Sequence, residues 1–276
     1  MLFALTAMMV AHVAAAAFFP ALRLRGPFRM LAWLFCSAVV ALSPCLVPQG
    51  SREWRFISTL VAIGLLPKLY DLFCSGDIAF RRGLRFYLAW LPNSFWLVIR
   101  RAPPPIARCD DLARLPGATL RAVACLALLA GIFAFDWSQT SVAMEHIVKV
   151  IVTYAGVVSV SQFGAVAYRL SGGTALDPTR SPASAPTLAE FWRRWNRPAQ
   201  QFLETYAFRP AGGLHHPVRA TLVTFALSAA IHEYVFGIAI GRIQGWQTAF
   251  FLIQGIGVAA SLRVRPVGWR RALGQL

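Results

Sequence analysis

Charge is scarce in this chain, and acidic charge scarcest. Only 14% of its 276 residues are Asp, Glu, Lys or Arg, and acidic residues number 11 against 27 basic. A soluble domain carries roughly a quarter charged residues, so an ordinary water-facing surface is excluded. Long polar segments are also missing. The longest inserts, Arg100 to Pro116 and Ser171 to Pro186, are rich in Pro, Ser and Gly, as membrane-loop connectors are. No soluble domain is expected, and residues 1–276 read as a single membrane domain. The first apolar stretch has no basic n-region or small-residue cleavage site, and Arg23, Arg25 and Arg29 follow it, so it reads as a retained span. Cys36, Cys45, Cys74, Cys109 and Cys125 stand singly, with no C-x-x-C pair and no histidine at ligand spacing. They read as small apolar filler. Residue 236 is Phe, so no H-E-x-x-H zinc site opens, and no G-x-S-x-G elbow is present.

Apolar residues dominate instead: 57% of the chain is hydrophobic and the mean hydropathy is +0.56. A helix needs about 20 apolar residues to cross a ~30 Å hydrocarbon layer. Stretches of that kind run from Leu2 to Ala21, Phe28 to Val47, Phe56 to Phe73, Ala118 to Phe135, Ile147 to Leu170, Pro217 to Ile240 and Trp246 to Leu262. The expectation is an all-α polytopic membrane protein with about seven spans. The net charge of +16 is scattered through loops. It therefore points to anionic lipid headgroups rather than nucleic acid. The densest clusters, Arg23 to Arg29, Arg81 to Arg85 and Arg193 to Arg209, are expected on the cytosolic side.

Two segments stand out from this apolar background. The first is Thr187-Leu-Ala-Glu-Phe-Trp-Arg-Arg-Trp-Asn196. Thr187 with Glu190 three residues later is a capping-box pattern, which predicts a helix starting at Leu188. Leu188, Phe191, Trp192, Trp195, Ala199, Phe202, Leu203 and Tyr206 then recur at helical spacing. Arg193, Arg194, Arg197, Gln200, Gln201 and Glu204 take the opposite face, as in a helix lying at the membrane interface. Asn196 sits at the edge of the apolar face, and Pro198 frees the carbonyl of Arg194 in the same turn. A carboxamide there is placed to meet a ligand, and an anchoring helix with a solvated Asn196 is the competing reading.

The second segment is Ser228-Ala-Ala-Ile-His-Glu-Tyr234, inside the run from Pro217 to Ile240. Ionisable residues at such depth are costly and mark functional sites. Thr221, Thr224, Ser228 and His232 are spaced by three, four and four, so they form one polar stripe, as along a lined cavity. Glu233 points about 100° away, toward Ala226, Ala229 and Gly237, small residues that admit a close helix. That placement fits a polar contact holding the helix. An imidazole titrates near neutrality and suits proton removal from a hydroxyl attacking an acyl carbonyl. A structural histidine bonded to a neighbouring helix is the alternative. His215 and His216 beside Pro217 read as helix-entry or headgroup residues rather than metal ligands. Glu145 and Lys149 are spaced for an ion pair, with His146 interfacial, and His12 and Gln162 are placed to contact neighbouring helices.

Read together, the two segments resemble the membrane-bound O-acyltransferase superfamily, and more closely its wax ester synthase-like branch. Thr187, Leu188, Phe191, Trp192, Arg193, Arg194, Trp195 and Asn196 match that branch's motif in order, and His232, Glu233 and Tyr234 match the later His-Glu-Tyr of the sterol and diacylglycerol acyltransferases. The resemblance covers about residues 186–240. It implies a helical bundle of about seven to eight transmembrane helices with an interfacial amphipathic helix, enclosing a tunnel. It further implies His232 as catalytic base, Asn196 near the thioester or acceptor, and acyl-CoA entering from the cytosolic side as co-substrate; no other cofactor and no metal are expected.

The resulting expectation is acyl transfer from acyl-CoA to the hydroxyl of a lipophilic acceptor, a long-chain alcohol first, by a multi-pass protein of a bacterial inner membrane. Catalysis falls to His232 and Asn196. Substrate contacts are expected at Trp192, Trp195, Arg193, Arg194, Ser228 and Glu233; Arg193, Arg194 and Arg197 suit CoA phosphates, and solvated or headgroup-bound arginines are the equal alternative. Another hydroxyl acceptor, such as a sterol, diacylglycerol, a glycan or a secondary metabolite, is the nearest alternative. A transporter whose permeation path is lined by the His232 stripe is the rival of another class. Transporters more often carry internal repeats or paired broken spans, and neither is evident here.

Overall fold

The computed structural model of the chain describes residues 1–262. The end of the expected single domain, residues 263–276, lies outside the described residues. The first helix, α1 (Leu2–Ala21), buries Ala4, Ala7, Ala11, Ala15 and Phe18. Their spacing by three and four makes one stripe, and the alanines let neighbouring helices approach closely. The helices α2 (Gly26–Leu42) and α3 (Arg52–Trp90) fill that approach. Phe18, Leu65, Leu69, Leu72 and Tyr87 form the centre of the resulting core. Tyr87, fully enclosed, donates its hydroxyl to the carbonyl of Ala15.

The third helix runs for 39 residues, well past the expected span of 56–73. Its part before Ser75 is about 35 Å long at 1.5 Å per residue, one bilayer crossing. Non-helical backbone at Ser75 (φ −142°, ψ 25°) and Gly83 (φ 85°, ψ 168°) then bends it. The Gly83 conformation is open only to a residue without Cβ.

Three charged residues of α3, Arg55, Lys68 and Asp71, are buried, the last two almost completely. The Lys68 ammonium donates to the carbonyls of Trp90, Leu91 and Asn93 at 2.5, 2.9 and 2.6 Å, which closes the far end of the same helix. The Asp71 carboxylate accepts from the Ile99 backbone N–H at 2.7 Å and from the Tyr206 hydroxyl at 2.5 Å. Asp71→Ala is expected to leave the buried Ile99 N–H unpaired, at about 1–3 kcal/mol, and to remove the acceptor of the half-buried Tyr206 hydroxyl. Thermal unfolding in detergent, followed by tryptophan fluorescence, reads this directly. A midpoint equal to wild type would show that the network does not support the fold.

The helices α4 (Arg108–Ala134) and α5 (Val142–Leu170) pack along each other as a hairpin. Glu145 and Lys149 make the expected i,i+4 pair on α5. The Arg169 guanidinium binds both oxygens of Asp111 at 2.7 Å and reaches Asp177 at 2.8 Å. That fork pins the connection after α5, and Gln162 donates to Thr179 at 3.0 Å in the same connection. His12 instead turns back on its own helix, to the carbonyl of Met8.

Four helices follow: α6 (Leu188–Arg194), α7 (Arg197–Leu203), α8 (Pro217–Ile240) and α9 (Trp246–Ser261). The eighth packs between α3 and α9, and Tyr234 ties it to α2 through a 2.6 Å bond to the carbonyl of Ala41. Among the described residues, six helices are long and apolar enough to cross a membrane, at 2–21, 26–46, 52–90, 108–134, 142–170 and 217–240. The seventh expected stretch, Trp246 to Leu262, forms α9 of 16 residues. Its length of about 24 Å falls short of the hydrocarbon layer. The chain is thus a multi-pass membrane protein, and its described residues are helical, with six long spans where about seven were expected.

Candidate active site

The motif region begins as the sequence predicts. Thr187 caps α6, its hydroxyl accepting from the Glu190 N–H at 3.1 Å. The expected continuous amphipathic helix is then split in two, which corrects the sequence reading. Pro198 has no N–H for the carbonyl of Arg194 and crowds it, and Asn196 adopts a left-handed conformation at φ 42°, ψ 59°. Asparagine tolerates that region better than most residues. The freed Arg194 carbonyl accepts from the Arg180 N–H at 3.0 Å, and the Arg197 N–H donates to Pro178 at 2.8 Å. Residues 178–180 therefore clasp the break. Asn196 becomes the N-cap of α7, its Oδ1 accepting from Ala199 N–H at 3.5 Å. Among the described residues the amide nitrogen has no partner.

A cavity of about 990 Å³ lies between α6, α7, α8 and α9. All four residues of the polar stripe, Thr221, Thr224, Ser228 and His232, are on its wall, and so are Trp192, Trp195 and Asn196. Phe225, Phe251 and Val258 complete an apolar lining. The His232 Nδ1 lies 2.8 Å from the carbonyl oxygen of Ser228. A carbonyl only accepts, so Nδ1 carries the proton and Nε2 keeps a lone pair. His12 and His146 make the same bond to the residue four positions back. Position on the cavity, and not that bond, distinguishes His232.

The aromatic motif residues hold the cavity's shape. Trp195 stacks on Tyr154 at 5.2 Å and on Phe191 at 6.0 Å, which joins α6 to α5. Trp192 meets Phe225 at 5.6 Å and Phe251 at 5.7 Å, and its indole N–H donates to Gln254 at 3.3 Å. Gly255 permits the contact between α8 and α9, because a Cβ there would come within 2.7 Å of Phe225.

The charged residues divide. Arg193 stands on the cavity wall, paired with Glu190 and 66% exposed at its side chain. Arg194 is off the wall, bonded to Glu190 at 3.0 Å and to Ser184 at 3.4 Å. Arg197 turns to the carbonyl of Asp177. Glu233, expected at the substrate, faces away from the cavity and takes its bonds from the start of α9.

Glu204 and Arg209 also line the cavity, and sequence pattern did not single them out. The Arg101 guanidinium, bidentate at 2.7 and 3.0 Å, and then Arg209 hold the Glu204 carboxyl down at about 2. A carboxyl so depressed contributes stability in full above its ordinary value, and loses that contribution as pH falls toward 2. The thermal midpoint of wild type should therefore exceed that of Glu204→Gln by a constant margin at neutral pH, and the margin should close below about pH 4.5. A margin unchanged in acid would refute the pairing. Phe225, Phe251 and Gln254 were missed as well. For Phe251 and Gln254 the sequence signal is the spacing of Phe251, Gln254, Gly255 and Val258 along one face of α9.

Two known acyltransferases are similar to part of this chain. Probable long-chain-alcohol O-fatty-acyltransferase 2 of Arabidopsis thaliana is 32% identical over 119 residues, 38% of this chain and 35% of the plant protein. Sterol O-acyltransferase 1 of Saccharomyces cerevisiae is 37% identical over 83 residues, 28% of this chain and 14% of the yeast protein. The chain thus spans well under two thirds of the length of these relatives. The family model for MBOAT, the membrane-bound O-acyltransferase family, matches residues 121–268 and so includes both motif segments and the cavity between them. With more than half of its length matched, the chain belongs to the membrane-bound O-acyltransferase family.

Proposed function

We propose that the chain transfers a fatty acyl group from acyl-CoA to the hydroxyl of a lipophilic acceptor, with a long-chain alcohol as the preferred acceptor. The observation that carries this reading is the shared wall: His232, the Thr/Ser stripe and Asn196 border one cavity otherwise lined by aromatic and aliphatic side chains. Its volume is at the upper end for small-molecule pockets, about 300–1,000 Å³, and suits a long apolar ligand. The names of the plant and yeast relatives point to an alcohol and to a sterol.

In the proposed reaction, His232 Nε2 takes the proton from the acceptor hydroxyl while that oxygen bonds to the thioester carbonyl carbon. The carbon–sulfur bond then breaks, and the imidazolium returns its proton to the leaving CoA sulfur. The products are an ester and free CoA, and the imidazole is neutral again. The Asn196 amide nitrogen is free to donate to the carbonyl oxygen as it gains negative charge. Trp192 and Trp195 shape the apolar wall, and Ser228 supplies the carbonyl that fixes the imidazole tautomer. Arg193 and Arg209 present exposed guanidiniums that suit CoA phosphates.

The test is purified protein incubated with labelled acyl-CoA and, in parallel, a long-chain alcohol, a sterol, diacylglycerol and a sugar. The expected result is alkyl ester formation that depends on His232. Ester formed with the sterol or diacylglycerol alone would keep acyl transfer and overturn the alcohol. No transfer to any acceptor by a folded, monodisperse sample would overturn the reading.

A further inference from the structure

His232 and Glu233 are adjacent in sequence and have opposite surroundings. The imidazole faces the cavity, while the Glu233 carboxylate reaches out of α8 to the start of α9. It accepts from the backbone N–H groups of Gln244, Gly245 and Thr248 at 2.9, 2.7 and 3.0 Å, and from the Thr248 hydroxyl at 3.0 Å. The N–H groups of Gly245 and Thr248 are donors that a helix start leaves unsatisfied, and a negative charge is favoured there. Gly245, the N-cap residue, has no side chain with which to supply the cap. The cap comes from α8.

Just beyond that first turn, α9 carries Phe251. Its ring centroid lies 4.0 Å from that of the His232 imidazole with the planes 32° apart. Phe251 is only 5% exposed, and Trp192 braces its ring while bonding Gln254 on the same helix. The bond from Nδ1 to Ser228 fixes the imidazole tautomer but holds only one point of the ring. An aromatic plane against the ring face restricts its rotation.

We propose that Glu233 and Phe251 are positioning residues for His232: Glu233 locks the start of α9 onto α8, and that lock sets Phe251 against the imidazole so that Nε2 aims into the cavity. Glu233 stands off the cavity wall; Phe251 is on the apolar lining, and its proposed effect on rate runs through the imidazole. This inference rests on the reading of His232 as the base and deepens it.

The experiment compares purified wild type, Phe251→Leu, Glu233→Gln, Glu233→Ala, the double variant Phe251→Leu/Glu233→Ala, and His232→Ala in the acyl-transfer assay. Leucine keeps most of the apolar volume and removes the flat face. Phe251→Leu and Glu233→Ala are each expected to lower kcat by about 10- to 100-fold, the scale of a base displaced by about an ångström. KM for acyl-CoA and for the alcohol should not change in Glu233→Ala, because Glu233 is not on the cavity wall. Both substitutions act through one ring, so the double variant should fall no further than the weaker single variant. Glu233→Gln keeps a carbonyl oxygen for Gln244 and Gly245, and should recover most of the rate. Should Glu233→Ala fail to give a monodisperse sample, Phe251→Leu and Glu233→Gln decide the matter alone. Wild-type kcat in Phe251→Leu, losses that multiply in the double variant, or a raised KM with unchanged kcat would each overturn the proposal. Full activity in His232→Ala would instead overturn the base reading itself, so the two failures are distinguishable.

Discussion

Replacing His232 with alanine is expected to lower kcat by about 10²- to 10⁴-fold, the contribution of a positioned general base, in a protein that still inserts and folds. The loss removes the imidazole that α8, a helix long and apolar enough to cross a membrane, contributes to the cavity wall. Stability should not suffer in proportion. The side chain's hydrogen bond is to the carbonyl of Ser228 within its own helix, and deleting an imidazole makes α8 more apolar. KM for acyl-CoA should hold, because the base meets the acceptor hydroxyl and not the nucleotide. Turnover and thermal midpoint are measured on the same monodisperse preparation. A variant that keeps more than about a tenth of wild-type turnover would leave no room for a general base of this strength.

The stripe that led to His232 was legible because α8 is regular from Pro217 to Ile240. In an unbroken helix, spacing alone decides which residues share a face, and Thr221, Thr224, Ser228 and His232 do share one wall. The cap at Thr187 was legible for a similar reason, since capping depends on residues three apart. The same holds for the alanine stripe of α1 only in part: apolar residues fill that helix on every side, and nothing local marks which face is buried.

Legibility failed where distant segments decide the outcome. The break at Asn196 needs residues 178–180, which accept and donate the backbone bonds that Pro198 disrupts. Helical periodicity runs straight through that break. Glu233 reads as a polar residue among small ones, and its partners come from a helix start that no spacing rule connects to α8. Lys68 and Asp71 lie inside the expected third span, where averaging over a window of apolar neighbours hides two buried charges. Their presence three residues apart in a span was the signal to follow. Hydropathy likewise extended the span count to α9, because it registers composition and not the geometric length of the helix.

The second large effect is expected at Asn196, where two roles coincide in one side chain. The backbone is left-handed at φ 42°, and Oδ1 caps α7 through Ala199. The amide nitrogen faces no such partner, and the residue stands on the cavity wall. An alanine variant loses both functions and adds backbone strain, so its defect cannot be divided. Asn196→Asp divides it: aspartate also tolerates the left-handed region, and its carboxylate still accepts from Ala199, yet it has no donor. Asn196→Gly makes the complementary change, since glycine adopts the same backbone freely and carries neither cap nor donor. If the amide stabilises the developing oxyanion, Asn196→Asp should lose about 10²- to 10³-fold in kcat, the scale of one removed oxyanion donor, with a near-wild-type thermal midpoint. Asn196→Gly should show a loss of the same size in kcat with a midpoint lowered by the missing cap, which is worth about 0.5–2 kcal/mol. Wild-type turnover in the aspartate variant would rule out the donor and leave Asn196 as the residue that shapes the turn between α6 and α7.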